Sequence, residues 1–187
     1  HGRTKFIIDE AFADFLDEPD RLLHRRPANM IVLCSLTKFY AIPGLRLGYA
    51  VADEDITHRL REMLPTWSVN TLAQAVGEKA LRDREYGVRS RHAVHTLREQ
   101  LFDELRKVPG LTVYPGKANF LLARVDRRGL DAPDIAHRLI SEGIAIRSCD
   151  NIAGLDRRFF RIAVRTEEEN NRFCKALAGM FHHFGGA

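Results

Sequence analysis

Three cysteines, one tryptophan and three methionines are all that 187 residues contain of these types, and no apolar run reaches the length of a membrane-spanning helix. The cysteines (Cys34, Cys149, Cys174) are odd in number and form no C-x-x-C pair. This argues against a disulfide framework and a zinc site, and favours a reducing, cytoplasmic compartment. Low-complexity tracts are missing and apolar residues are well spread, which makes disorder a poor reading. Lysine is scarce, six against 23 arginines. Arginine suits planar recognition of carboxylates and phosphates, although the base composition of coding DNA produces the same skew. Charge of one sign does not dominate: 29 basic and 25 acidic residues give +4, which neither requires nor excludes a nucleic-acid partner. What is present is 45% hydrophobic content, enough for one globular domain or one and a part. The chain begins at His1 with an apolar segment almost at once, and is expected to be a piece of a longer protein.

The apolar run Lys5-Phe6-Ile7-Ile8 reads as a buried strand ending in the carboxylates Asp9 and Glu10. Pro19 and Pro27 bracket a plausible helix, and Met30 to Cys34 is a second buried strand, expected to pair in parallel with the first. Ser35 to Gly44 reads as a loop and Leu45 to Ala52 as a third apolar run interrupted by Arg46. Asp53 can cap a helix to about Leu64, ended by Pro65. Ser68 or Asn70 caps a long helical region reaching toward Lys107, with a break near Gly87. Beyond Pro109-Gly110 the pattern is α+β. Strands are expected over Leu111 to Tyr114, Asn119 to Val125, Ile144 to Ser148 and Phe159 to Val164, and a helix over Asp134 to Glu142. A final helix opens with the capping box Thr166-Glu167-Glu168-Glu169 and stops at Gly185-Gly186.

Lys38 follows a buried strand in S-L-T-K-F-Y-A-I-P-G-L-R-L-G-Y, whereas the other five lysines lie in charged or turn-like surroundings. A lysine among apolar groups loses solvation of its ammonium form and becomes a nucleophilic amine, as a Schiff base requires; the alternative is a snorkelling side chain at a strand end. Ser35, Thr37 and Arg46 could together hold a phosphate near it. Asp9, at the carboxyl end of the adjacent strand, could keep a pyridine nitrogen protonated, or cap a helix. Arg147 and Arg161 fall in two strands among apolar neighbours, where a half-buried guanidinium is costly unless an anion meets it. Asn119 either orients a substrate or pairs with a turn. His92 and His95 lack a third ligand, so no metal is expected.

D-E-A-F at Asp9 to Phe12 and the run from Ser35 to Tyr49 resemble the pyridoxal-phosphate signature of the fold-type-I aminotransferase superfamily. The resemblance implies an α/β fold, the C-terminal part of the large pyridoxal-phosphate domain plus an α+β small C-terminal domain. Residues 1–80 would be the rear of the large domain with the start of the interdomain helix, and residues 81–187 the small domain. It implies pyridoxal 5'-phosphate as cofactor, Lys38 as the Schiff-base lysine and Asp9 as partner of the pyridine nitrogen. Ser35, Arg46 and more weakly Thr37 would hold the cofactor phosphate. Arg161 would hold the substrate's acidic group and Arg147 its phosphate, with a swap between them open.

Within the superfamily the texture is similar to the L-threonine-O-3-phosphate decarboxylases of cobalamin biosynthesis, carried by W-S-V-N at Trp67, L-T-V-Y-P-G-K-A-N-F at Leu111, I-R-S-C at Ile146, N-I-A-G-L-D at Asn151 and F-R-I-A-V-R at Phe160. Histidinol-phosphate aminotransferases are the near alternative. Phe12 stands where transaminases commonly carry a tyrosine, and Arg165 where histidinol-phosphate aminotransferases generally have glycine. A non-catalytic basic interaction module is the rival of another class. The resemblance further implies a small phosphorylated amino-acid substrate, a homodimer, no nucleic-acid or membrane partner, and a chain covering the C-terminal half of the protein, inactive by itself.

Overall fold

The computed structural model describes residues 4–16 and 22–183; the predicted helix start at Pro19 and helix stop at Gly185-Gly186 lie outside them. The chain divides into two compact units, His1–Arg91 and His92–Ala187.

In the first unit β1 (Phe6–Asp9) and a single 3-10 turn (Ala13–Phe15) precede α1 (Leu22–Arg25) and β2 (Met30–Ser35). Then come α2 (Leu36–Phe39), a 3-10 turn (Pro43–Leu45), β3 (Gly48–Val51), α3 (Glu54–Met63), α4 (Thr71–Arg82) and the start of α5 (Arg84–Arg106). The sheet order is β1-β2-β3. The expected parallel pairing of β1 with β2 is present, with Asp9 opposite Leu33, and β3 runs antiparallel with Gly48 opposite Ser35. Unlike the expected buried strand, β1 exposes Phe6 and Ile7, because an edge strand has a neighbour on one side alone. The predicted loop from Ser35 contains the one-turn helix α2. The third apolar run becomes a strand only from Gly48, since Arg46 adopts a left-handed conformation (φ 52°) before it. Asn70 caps α4 by accepting from Ala73 N at 2.8 Å. The break before α5 lies at Asp83 rather than Gly87, because the Asp83 carboxylate accepts from Tyr86 N at 2.9 Å and starts a new helix.

The second unit takes the rest of α5, then β4 (Leu111–Tyr114), β5 (Phe120–Val125), α6 (Ala132–Ile140), β6 (Arg147–Ser148), β7 (Phe159–Ala163) and α7 (Glu167–His183). Its sheet, in the order β4-β5-β7-β6, is antiparallel throughout. Strand alternation sends Leu121, Ala123, Val125, Phe160 and Ile162 to one face. There they form one core with Leu101 and Leu105 of α5, Ile135 and Leu139 of α6, and Phe173, Leu177 and Phe181 of α7. Burying each large side chain of this set contributes about 1.5–3 kcal/mol. Leu122, Arg124, Phe159, Arg161 and Ala163 consequently share the other face, away from that core. The strand expected over Ile144 to Ser148 is reduced to Arg147–Ser148, because only these two residues pair with β7. Among the described residues, no helix is long and apolar enough to cross a membrane.

The predicted capping box at α7 forms: Glu169 N donates to Thr166 Oγ1 and Thr166 N to Glu169 Oε2, each at 3.3 Å. Arg165, past the end of β7, pairs with Glu169 at 2.7 Å. That guanidinium, with the Thr166 hydroxyl, brings the Glu169 carboxyl from 4.5 down to about 2. A carboxylate depressed by folding stabilises the native state above its unfolded value, and this contribution is lost as pH falls through the folded value. Melting temperatures of the wild type and Glu169→Gln should thus differ most above about pH 5 and converge toward about pH 2. A difference that stays constant across that window would show that the pair contributes nothing to stability.

Candidate functional site

One edge of the first unit's sheet gathers chemistry from three strands. Asp9 ends β1 and Ser35 ends β2, and parallel pairing brings both ends to the same side. Because β3 runs the other way and Gly48 faces Ser35, the chain enters β3 at that edge, with Arg46 just before it. The approach is close: a Cβ on Gly48 would lie 2.7 Å from the Cys34 carbonyl oxygen. Asp9 Oδ1 accepts from Ala11 N at 2.8 Å, which leaves Oδ2 without a partner among the described residues. Ser35 Oγ and Thr37 Oγ1 share a hydrogen bond at 2.8 Å, and Lys38 Nζ donates to Thr37 Oγ1 at 3.1 Å. The Phe12 ring centroid is 5.9 Å from the same ammonium. Arg46 is not drawn into this group: Nη1 donates to the Pro43 carbonyl at 3.1 Å. Ala41 and Arg46 both have positive φ, 53° and 52°. Strain of about 1 kcal/mol at each brackets the segment between the lysine turn and β3.

Lys38 is exposed, contrary to the expected apolar enclosure, while Leu36, Thr37 and Phe39 around it are buried. The turn is anchored from behind. The Phe39 ring makes edge contacts with Phe15 at 5.1 Å and Tyr86 at 6.0 Å, and Tyr40 stacks on Tyr86 at 5.7 Å. Tyr86 Oη donates to the Phe39 carbonyl at 3.0 Å, a bond spanning 47 residues. Small residues on α4 permit the close packing on Leu36 and Leu47: Ala73 and Gly77 are buried, and a Cβ on Gly77 would meet both leucines. Sequence reasoning missed Tyr86, which lay in a helical stretch with nothing to mark it.

In the second unit, Arg147 and Arg161 face each other directly across β6 and β7. Both are exposed rather than half-buried, since both point away from the core. Like charges directly opposite in a sheet repel, and among the described residues no carboxylate pairs with either. Arg147 Nη2 reaches Asn151 Oδ1 at 3.3 Å, and the Arg161 guanidinium lies 4.7 Å from the Phe120 ring centroid. Beneath them Cys149 is 1% exposed; burial pushes its thiol up, against the opposing pull of Arg161 and Arg147, so the group stays neutral. Two unpaired guanidiniums on adjacent strands suit one or two anionic groups. Asn119, just before β5, accepts from Val164 N at 2.9 Å through its carbonyl, and its side-chain amide has no partner among the described residues. Thus Ser35, Thr37 and Lys38 are joined by hydrogen bonds, Asp9 and Arg46 share their edge through the backbone, and Arg147, Arg161 and Asn119 belong to the second unit.

The family profile described as aminotransferase class I and II matches residues 3–177. The chain belongs to that family. The threonine-phosphate decarboxylase of Salmonella typhimurium is 43% identical over 174 residues, covering 91% of this chain and 47% of that protein. The adenosylcobalamin biosynthesis bifunctional protein of Leptospira interrogans is 37% identical over 181 residues, 95% of this chain and 20% of that protein. The crystal structure of histidinol-phosphate aminotransferase from Clostridium acetobutylicum has a TM-score of 0.91 at 29% identity, covering 97% of this chain and 55% of that one. The chain accordingly has the α/β architecture of the fold-type-I aminotransferases and spans about half the length of the Salmonella relative.

Pyridoxal 5'-phosphate is the cofactor of this aminotransferase family and of this chain. The first unit offers donors that fit it: an accessible amine on Lys38, the Ser35 and Thr37 hydroxyls, and an unpartnered Asp9 oxygen that can accept from a pyridinium N–H. If Tyr86 holds the lysine turn, Tyr86→Phe should destabilise the protein by about 1 kcal/mol, the net worth of one part-buried hydrogen bond, in chemical denaturation. An unchanged midpoint would mean that water replaces the phenol.

Proposed function

We propose that the full-length protein decarboxylates L-threonine O-3-phosphate to (R)-1-aminopropan-2-ol phosphate in cobalamin biosynthesis. The observation that carries this reading is the pair of opposed, unneutralised guanidiniums of Arg147 and Arg161 in a chain 43% identical to a threonine-phosphate decarboxylase. A substrate with one carboxylate and one phosphate supplies the two missing anions. The likeness to the Leptospira bifunctional protein supports the same pathway.

Bound pyridoxal phosphate supplies the electron sink for a carbanion at the substrate's α-carbon. Lys38 Nζ would hold the cofactor covalently and would be the group that moves a proton to or from the substrate's α-carbon. Asp9, whose Oδ2 is left open by the bond of Oδ1 to Ala11 N, would accept from the pyridine N–H and keep that nitrogen protonated. Ser35, Thr37 and Arg46 would bind the cofactor phosphate, and the Thr37 hydroxyl already joins Ser35 to the Lys38 amine. Arg161 orients the acidic group of the substrate, Arg147 binds its phosphate, and Asn119 hydrogen-bonds to it. The arginines' hold on the substrate would decide which of its α-carbon bonds is presented for cleavage, a matter of positioning.

The protein acts as a homodimer in the cytoplasm, where its three free cysteines stay reduced. Residues 1–80 serve as the rear of the large domain and residues 81–187 as the small domain, and the isolated chain is inactive. A histidinol-phosphate-type aminotransferase is the second reading, favoured by the likeness to the Clostridium enzyme. Phe12, which lies by Lys38 and brings no hydroxyl, supports the decarboxylase, whereas Arg165 is engaged with Glu169 and favours neither reading.

Carboxyl-labelled L-threonine O-3-phosphate given to the full-length protein with pyridoxal phosphate should release labelled carbon dioxide. Amino transfer from histidinol phosphate to 2-oxoglutarate without that release would replace the decarboxylase by the aminotransferase. Lys38→Ala should lower turnover by at least about a thousandfold, and retained turnover would remove Lys38 from the chemistry.

A further inference from the structure

A buried charge in the second unit serves neither the hydrophobic core nor the groups assigned above. Arg98 on α5 is 6% exposed. Its Nη1 donates to the carbonyls of Lys117 and Ala118, at 3.0 and 3.5 Å. Its Nε and Nη2 donate to Glu99 Oε1 at 3.3 and 3.2 Å, and Glu99 is half-exposed. Burying a guanidinium is costly unless its N–H groups are met, and an apolar side chain would fill the same space without that cost. What an arginine adds is a planar group that holds two successive carbonyls through Nη1 while its other edge, Nε and Nη2, is fixed on Glu99.

Those carbonyls belong to the turn immediately before Asn119. The turn folds tightly on the start of β5, for a Cβ on Gly116 would lie 2.8 Å from the Phe120 carbonyl oxygen. Past the turn, the Asn119 carbonyl ties to Val164 N beyond β7, and the Phe120 ring carries the Arg161 guanidinium. A continuous path therefore runs from Arg98 through the turn to the Asn119 amide and to the aromatic face on which Arg161 rests. A long, exposed arginine has many rotamers, and a ring beneath it narrows them.

We propose that Arg98 is a positioning residue that sets Asn119 and Arg161 for the acidic group of the substrate. This rests on the reading of Arg161 as a substrate ligand. Arg98→Lys keeps the charge and most of the stem but loses the planar fork. In the full-length holoenzyme it should raise KM for L-threonine O-3-phosphate about tenfold while kcat stays within about twofold, the signature of lost binding shared by ground and transition states. Pyridoxal-phosphate affinity should not change, and the Val164 amide should exchange its hydrogen faster. Glu99→Gln, altering the exposed end of the clamp, should move KM the same way by about twofold to threefold, and carries the test if Arg98→Lys does not fold. A folded Arg98→Lys enzyme with a lowered melting temperature and unchanged KM would overturn the proposal, as would an unchanged KM in Glu99→Gln where that variant alone folds. Arg161→Lys separates the two levels: if it leaves KM unchanged, the assignment of Arg161 itself fails, whereas a raised KM there beside a normal Arg98→Lys rejects only the role of Arg98.

Discussion

Presenting one polar side chain from a turn that is otherwise buried is the constraint on which the first unit is built. Leu36, Thr37 and Phe39 go inward and Lys38 alone goes out. A four-residue helix has too few internal hydrogen bonds to hold itself, so its stability must come from tertiary packing. That packing comes from the ring contacts of Phe39 with Phe15 and Tyr86, from the Tyr86 phenol on the Phe39 carbonyl, and from small residues on α4 that admit Leu36 and Leu47. The strand edge completes the arrangement, because the register that sets Gly48 against Ser35 also brings the Arg46 turn to the side where Asp9 ends its strand.

The second unit meets a related problem by separating two faces. Strand alternation sends branched and aromatic side chains into the helices and leaves arginines on the other side. On that face Arg124 is met by the Asp126 carboxylate at 2.6 Å, whereas Arg147 and Arg161 have no carboxylate partner among the described residues. Arg165 shows the opposite solution, since Glu169 satisfies it within the same helix cap. The difference between these arginines lies in their surroundings and not in their residue type.

Much of this was legible in the sequence because it is local. The spacing of Ser35, Lys38 and Arg46 lies within one short run, the strands are apolar runs, and the α7 cap is spelled by Thr166 to Glu169. What escaped was set by distant parts of the chain. The helix α2 has one exposed residue and so no period to read, and its anchor at Tyr86 is 47 residues away. The opposition of Arg147 and Arg161 is a fact of register between two strands, which no single-strand pattern contains. Glycine is the louder signal, so the sequence points to a break near Gly87, although an aspartate that accepts the next helix's N–H makes it at Asp83. Exposure of both arginines likewise follows from which sheet face the helices cover, and apolar neighbours in sequence do not reveal that.

The strand β6 is only two residues long and lies at the rim of its sheet. Rims of sheets are where chains of the same kind add to one another, and proteins guard them with brevity and with charge. Arg147 supplies the charge, reinforced by Arg161 behind it. A second strand approaching this rim with a cation of its own would meet repulsion before it found hydrogen bonds. The guanidiniums that crowd this face therefore also discourage self-association, and a neutral substitution at Arg147 would leave the rim guarded by its shortness alone.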